Sequence, residues 1–109
     1  MLRLGNPDPI YEIYLPLTYN DGSLIEEEKF SLTRNELVGR FGGLTNTPPG
    51  LPLQGWWHSP QGVVEDNIVI WRVVTPDDDD IFLREYQRTL EQRFIQDKVY
   101  IVKTQGEAL

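Results

Sequence analysis

The chain has no cysteine, one histidine and one methionine, and sets only ten Lys plus Arg against seventeen Asp plus Glu. Each shortage removes a class of function. Without cysteine there is no disulfide framework, no thiolate metal site and no cysteine nucleophile, and a reducing compartment is permitted. A lone histidine with no Asp/Glu cluster at ligand spacing makes a poor transition-metal set, so no metal is expected. The formal charge of −7 repels phosphate backbones, and Arg84, Arg88 and Arg93 are interleaved with Glu85 and Glu91 instead of forming a basic stripe. Nucleic acid is therefore not an expected partner. No stretch approaches the roughly 20 apolar residues of a membrane span. Residues 1–7 contain no apolar run of signal-peptide length. The expected location is the cytoplasm, with no membrane partner. Glycine motifs for nucleotide phosphates and the Gly-x-Ser-x-Gly elbow are also missing, so no cofactor is expected.

What is present is periodicity. Residues 1–9 carry Pro7 and Pro9 and read as a flexible N-terminal arm. Residues 10–17 alternate, with Tyr11, Ile13, Leu15 and Leu17 on one side, and predict a strand whose pairing ends or bulges near Pro16. Asn20-Asp21-Gly22 supplies a turn. Ser23 with Glu26 reads as a capping box before a helix marked by Phe30, Leu37, Val38 and Phe41 and ended by Gly42-Gly43; Thr33 with Glu36 offers a second start. Residues 45–52 hold three prolines and read as a loop. Residues 53–58 and 63–74 predict a hairpin through Ser59-Pro60-Gln61-Gly62. Pro76 and the acids Asp77 to Asp80 open a second helix, where the acids read as capping and dipole partners; its apolar stripe is Phe82, Tyr86, Leu90 and Phe94. Residues 99–103 predict the last strand, and residues 105–109 a tail.

That order, β-α-β-β-α-β, predicts one domain over residues 10–104. The expected fold is an α+β, ferredoxin-like sandwich: a four-stranded antiparallel sheet of order 4-1-3-2 with both helices on one face. The third strand then lies in the middle. Its two sides, Val69, Trp71 and Val73 against Ile68, Ile70, Arg72 and Val74, are both rich in apolar residues. One side meets the helices, and the other needs a cover.

The segments Leu15-Pro16-Leu17, Gly39-Arg40-Phe41-Gly42-Gly43-Leu44-Thr45, Gln54-Gly55-Trp56-Trp57 and Phe82-Leu83-Arg84-Glu85-Tyr86 through Arg93-Phe94-Ile95-Gln96 resemble a group of short uncharacterised bacterial proteins, common in cyanobacteria. The resemblance spans nearly the whole chain and implies no catalytic residues. At fold level the layout is similar to the dimeric α+β barrel proteins, whose open sheet faces pair, and fold alone does not carry function.

Six residues are candidates for a ligand site or an interface: Tyr14, Trp56, Trp57, His58, Asp66 and Arg72. The tryptophans suit a flat ligand, although adjacent Trp56 and Trp57 split between faces and large aromatics usually pack. His58, the one histidine, lies across the hairpin from Glu65 or Asp66, in reach of a general-base role; its position beside the turn suits a solvated strand end better. Arg72 suits an anion clamp or a carboxylate across a dimer, against a plain intrachain salt bridge. Two readings follow. The first is a non-enzymatic oligomerising or protein-interaction module, most simply a homodimer through the open sheet face. The second is a small-molecule enzyme or ligand-binding protein with Tyr14, His58, Arg72 and a tryptophan around a cavity. An acidic partner that masks a basic protein is a third, resting on charge alone.

Overall fold

A computed structural model describes residues 8–46, 53–60 and 62–106, with backbone alone for 53–55, 57–59 and 64–66. The elements are β1 (Asp8–Pro16), α1 (Glu27–Phe41), β2 (Thr45–Asn46), β3 (Leu53–Ser59), β4 (Gly62–Val74), α2 (Asp80–Arg93) and β5 (Ile101–Gly106). β4 pairs antiparallel with β1, β1 with β5, and β2 and β3 both lie along the outer side of β4. Read as one interrupted edge, β2 and β3 give the order expected of the ferredoxin-like α+β fold.

Alternation builds the core. Tyr11, Ile13 and Leu15 of β1 are buried every second residue, and β4 contributes Val69, Trp71 and Val73 from the neighbouring strand. Phe30 and Leu37 of α1 and Leu83, Tyr86, Leu90 and Phe94 of α2 close over them. The Phe30 ring stands 5.2 Å from Phe94 and 6.1 Å from Trp71. Leu90 and Phe94 are wholly buried, in a setting where truncation to Ala costs about 2–5 kcal/mol.

Several local expectations are corrected. β1 ends at Pro16, close to the end expected; the Leu17 amide still reaches the Asn67 carbonyl at 3.2 Å, so Pro16 holds the alternate rung, where its missing N–H faces away from β4. Thr45 and Asn46, read as loop, pair with Arg72 and Trp71; the rest of that loop, residues 47–52, lies outside the described residues. β5 begins two residues later than expected and runs on to Gly106, where the tail was placed. The Ser23 capping box does not form. Ser23 instead donates its amide and hydroxyl to Asp21 in an Asx turn, and α1 starts after Glu26, which accepts from the Tyr19 hydroxyl. Thr33 is no second start: it is buried inside α1 and returns its hydroxyl to the Lys29 carbonyl at 2.7 Å. Gly42 ends the helix as expected, at φ 83° with its amide on Val38.

Candidate functional site

The same alternation that fills the core turns a second set of side chains away from the helices. Ile10, Glu12 and Tyr14 of β1 share that face with Ile70, Arg72 and Val74 of β4, their ladder partners. Val102 of β5 joins them opposite Glu12. Both helices pack on the other side, so no described element covers this one. Val74 is half exposed and Val102 nearly so. At the centre the Arg72 guanidinium donates to the Glu12 carboxylate at 2.7 Å. Arg72 therefore makes the intrachain salt bridge, and the pair leaves an apolar face with one charge of each sign and none net.

The six candidates fall into two groups. Tyr14 and Arg72 sit diagonally on the open face. Trp56, Trp57, His58 and Asp66 lie on the β3–β4 hairpin, where the ladder pairs Trp56 with Glu65, Trp57 with Val64, His58 with Val63 and Gly55 with Asp66. The side chains of Trp57, His58 and Asp66 lie outside the description; Trp56 is 60% exposed. Nine residues of β4 separate Arg72 from the partner of His58, about 30 Å of strand. One chain does not gather these residues round one point. Trp71, the third tryptophan, faces the helices, with the Arg34 guanidinium 5.5 Å from its ring centre.

A polar cluster at the other end of the core escaped the sequence reading. The Tyr11 hydroxyl donates to Asp80 at 2.6 Å and accepts the Asp79 amide at 2.9 Å. Lys103 reaches Asp78 at 2.8 Å and Asp80 at 3.1 Å. Arg40 donates twice to Asp79, at 2.7 and 3.0 Å, with its guanidinium 3.8 Å over the Phe82 ring. Three of the four acids thus do more than favour a helix dipole: Asp79, the N-cap, makes no side-chain cap bond and ties α2 to α1, while Asp78 and Asp80 tie α2 to β5. Burial and the bond to Asp80 raise the Tyr11 pKa. The Tyr11 hydroxyl, then Lys103, lower that of Asp80, and the bonds to Asp78 and Asp80 raise that of Lys103. Each shift holds its group in its ordinary charge state at neutral pH, hydroxyl and ammonium protonated and carboxyl ionised. A signal for the cluster existed, since an inward tyrosine near a strand end needs a partner for its hydroxyl.

Tyr11, Asp80, Arg84, Gln87, Ile101 and Lys103 border an open cleft of about 170 Å³. A second, of about 50 Å³, lies beside Phe30, Arg34 and Trp71. Both are smaller than the ~300–1,000 Å³ usual for small-molecule sites. Among the described residues no three His, Cys, Asp or Glu side chains are grouped to hold a metal ion.

No family model and no curated protein matches the chain. Solved structures do. A phage SAM lyase in complex with S-methyl-5'-thioadenosine superposes with a TM-score of 0.67 at 17% identity, over 96% of this chain and 86% of that one. The phage SAM lyase in its apo state gives a TM-score of 0.65 at 18% identity over the same shares. At these identities the likeness is one of fold, in keeping with the α+β layout.

Proposed function

We propose that this protein is a small self-associating module whose open sheet face is covered by a second copy of the chain. One observation carries the reading: the face built by Ile10, Tyr14, Ile70, Val74 and Val102 is apolar, lies opposite both helices, and holds the balanced pair Glu12 and Arg72 at its centre. A face with equal and opposite charges is self-complementary about a two-fold axis, where each Arg72 approaches the partner's Glu12. Burying the exposed part of valines and isoleucines contributes about 25 cal/mol per Å². Light scattering on a sizing column is the test. The expected result is a dimer at tens of micromolar that Val74→Glu converts to a folded monomer, since a buried unpaired carboxylate costs several kcal/mol. A wild-type monomer throughout that range overturns the reading.

A second reading is favoured by the fold neighbours: a small-molecule enzyme or binding protein acting on an adenosyl sulfonium or thioether. Among the described residues the two clefts are smaller than such a site usually is, and we place this reading second. Titration calorimetry with S-methyl-5'-thioadenosine and chromatography of S-adenosylmethionine incubated with the protein test it; absence of both binding and turnover removes it.

A further inference from the structure

We infer that the outer edge of β5 receives an extended segment of another protein as an added antiparallel strand, whose C-terminal acidic side chains meet Arg84 and Arg88 of α2. The inference stands apart from the self-association proposed above, because it uses an edge of the sheet and not its open face.

The ladder shows which backbone groups are open. Among the described elements β5 ends the strand order and pairs with β1 alone. The Tyr14 amide donates to the Tyr100 carbonyl at 3.0 Å, so the bonded rungs to β1 continue at every second residue, Val102 and Thr104. Ile101, Lys103 and Gln105 therefore turn their amides and carbonyls away from β1, and no described strand lies beyond them. Such a row is a template for a further strand. Proline and bulges, which often guard an edge, are missing from β5, and its register with β1 is uninterrupted. Lysine is another guard, but the Lys103 amine is drawn to Asp78 and Asp80 at the head of α2.

The flank of α2 beside this edge supplies the selection. Gln87 and Glu91 bond the carbonyl and the amide of Val99, which lays that side of the helix along the start of β5. Arg84 and Arg88, one turn apart, share that flank and are exposed. No carboxylate stands within salt-bridge distance of either, whereas Arg34, Arg40, Arg72 and Arg93 each have one. Arg84 also borders the open cleft of about 170 Å³ beside Ile101, which is on the scale of single side chains. On a chain of charge −7 this is a local cationic strip.

Side chains directly opposite each other share a face. Guest residues opposite Ile101 and Lys103 thus point to the helix side. Asp78 and Asp80 already neutralise Lys103, so an acid gains nothing there. Opposite Ile101, and again beside Val99, it meets Arg84 and Arg88. In an antiparallel guest those positions come last. The guest residues between them lie next to Val102 and Thr104 on the open side and suit valine. Main-chain bonds supply the affinity of such a complex and the alternate side chains its specificity. A second β5 is a poor guest, because a two-fold axis at this edge sets the arginines of both copies against each other.

The test uses the full chain and the fluorescein-labelled peptide Thr-Val-Thr-Val-Glu-Val-Glu. Fluorescence polarisation is expected to show binding that falls at least tenfold with Arg84→Glu plus Arg88→Glu, with circular dichroism unchanged. Reversing the peptide sequence is expected to cost as much. N-methylation of the first glutamate, whose amide faces β5, should abolish binding, while N-methylation of the valine before it should not. By NMR, hydrogen exchange at the Ile101, Lys103 and Gln105 amides is expected to be fast in the free protein and slow with saturating peptide. No binding at millimolar protein, slow exchange of those amides without peptide, or binding that survives N-methylation at the glutamate overturns the docking edge. Affinity indifferent to the arginines or to the order of the peptide overturns the acidic selection. A wild-type monomer leaves the inference standing.

Discussion

Ile95 is the residue whose backbone is least suited to its side chain. α2 ends in a Schellman motif: the Gln96 amide reaches the Glu91 carbonyl at 2.9 Å and the Ile95 amide the Gln92 carbonyl at 3.3 Å. The motif puts Ile95 at φ 52°, a left-handed conformation natural to glycine and costing a β-branched residue about 1–2 kcal/mol. The side chain is 62% exposed, so little burial offsets the strain. Ile95→Gly relieves it, at the expense of a more flexible unfolded chain. The expected net gain is about 0.5–1 kcal/mol, or a few degrees in Tm by calorimetry. A loss of stability would mean that unfolded-chain entropy and the buried part of the Ile95 side chain outweigh the strain. The sequence reading passed over this residue because the Schellman turn needs no glycine signal once Gln96 and the preceding carbonyls close it.

At the scale of elements, the two helices are joined by a polar seam. Arg93 donates to the buried Thr33 hydroxyl at 2.8 Å and to Glu36 at 2.6 Å, and the Tyr86 hydroxyl reaches Glu36 at 3.0 Å. Burial, then the Glu36 charge, pushes the Tyr86 pKa up to about 12, so that hydroxyl stays a donor. The Arg93 bond lowers the pKa of Glu36. A carboxyl depressed in the folded state stabilises above its unfolded pKa of roughly 4.3, and that stabilisation is lost as pH falls through the lower folded value. Glu36→Gln is therefore expected to cost about 1 kcal/mol at pH 7, a figure held down by solvent screening of a carboxylate 40% exposed. The difference from wild type in urea midpoints should shrink toward zero as pH drops below about 4. A difference that is constant with pH would show that the amide loses packing and not charge. Periodicity had marked Thr33 and Glu36 as a possible helix start, and Tyr86 as apolar stripe. Their meeting with Arg93 depends on how α1 lies against α2, which no spacing within either helix encodes.

For the whole molecule, charge and shape pull in opposite directions. A net charge of −7 on each copy makes self-association repulsive at long range. The apolar face acts only at contact. Added salt shortens the Debye length from about 14 Å at 0.05 M to below 6 Å at 0.3 M, so the proposed dimer is expected to tighten severalfold over that range by sedimentation equilibrium. An association that weakens with salt would place ion pairs, and not apolar surface, in command, and would favour a basic partner protein. Among the described residues no helix is long and apolar enough to cross a membrane.

Element order, sheet order and the apolar middle strand were legible because alternation and helical spacing are local, and because right-handed crossovers leave few ways to join them. Gly42 as a helix stop and Arg72 beside Ile70 and Val74 follow from the same periods. Tertiary structure alone decided the rest. It gave Asp78, Asp79 and Asp80 to Lys103, Arg40 and the Tyr11 hydroxyl, and split the tryptophan candidates from Arg72 by the length of β4. The physical reason is that a period of two or 3.6 fixes which way a side chain turns on its own element. What it meets there is set by register, strand length and helix placement, and these are properties of pairs of elements.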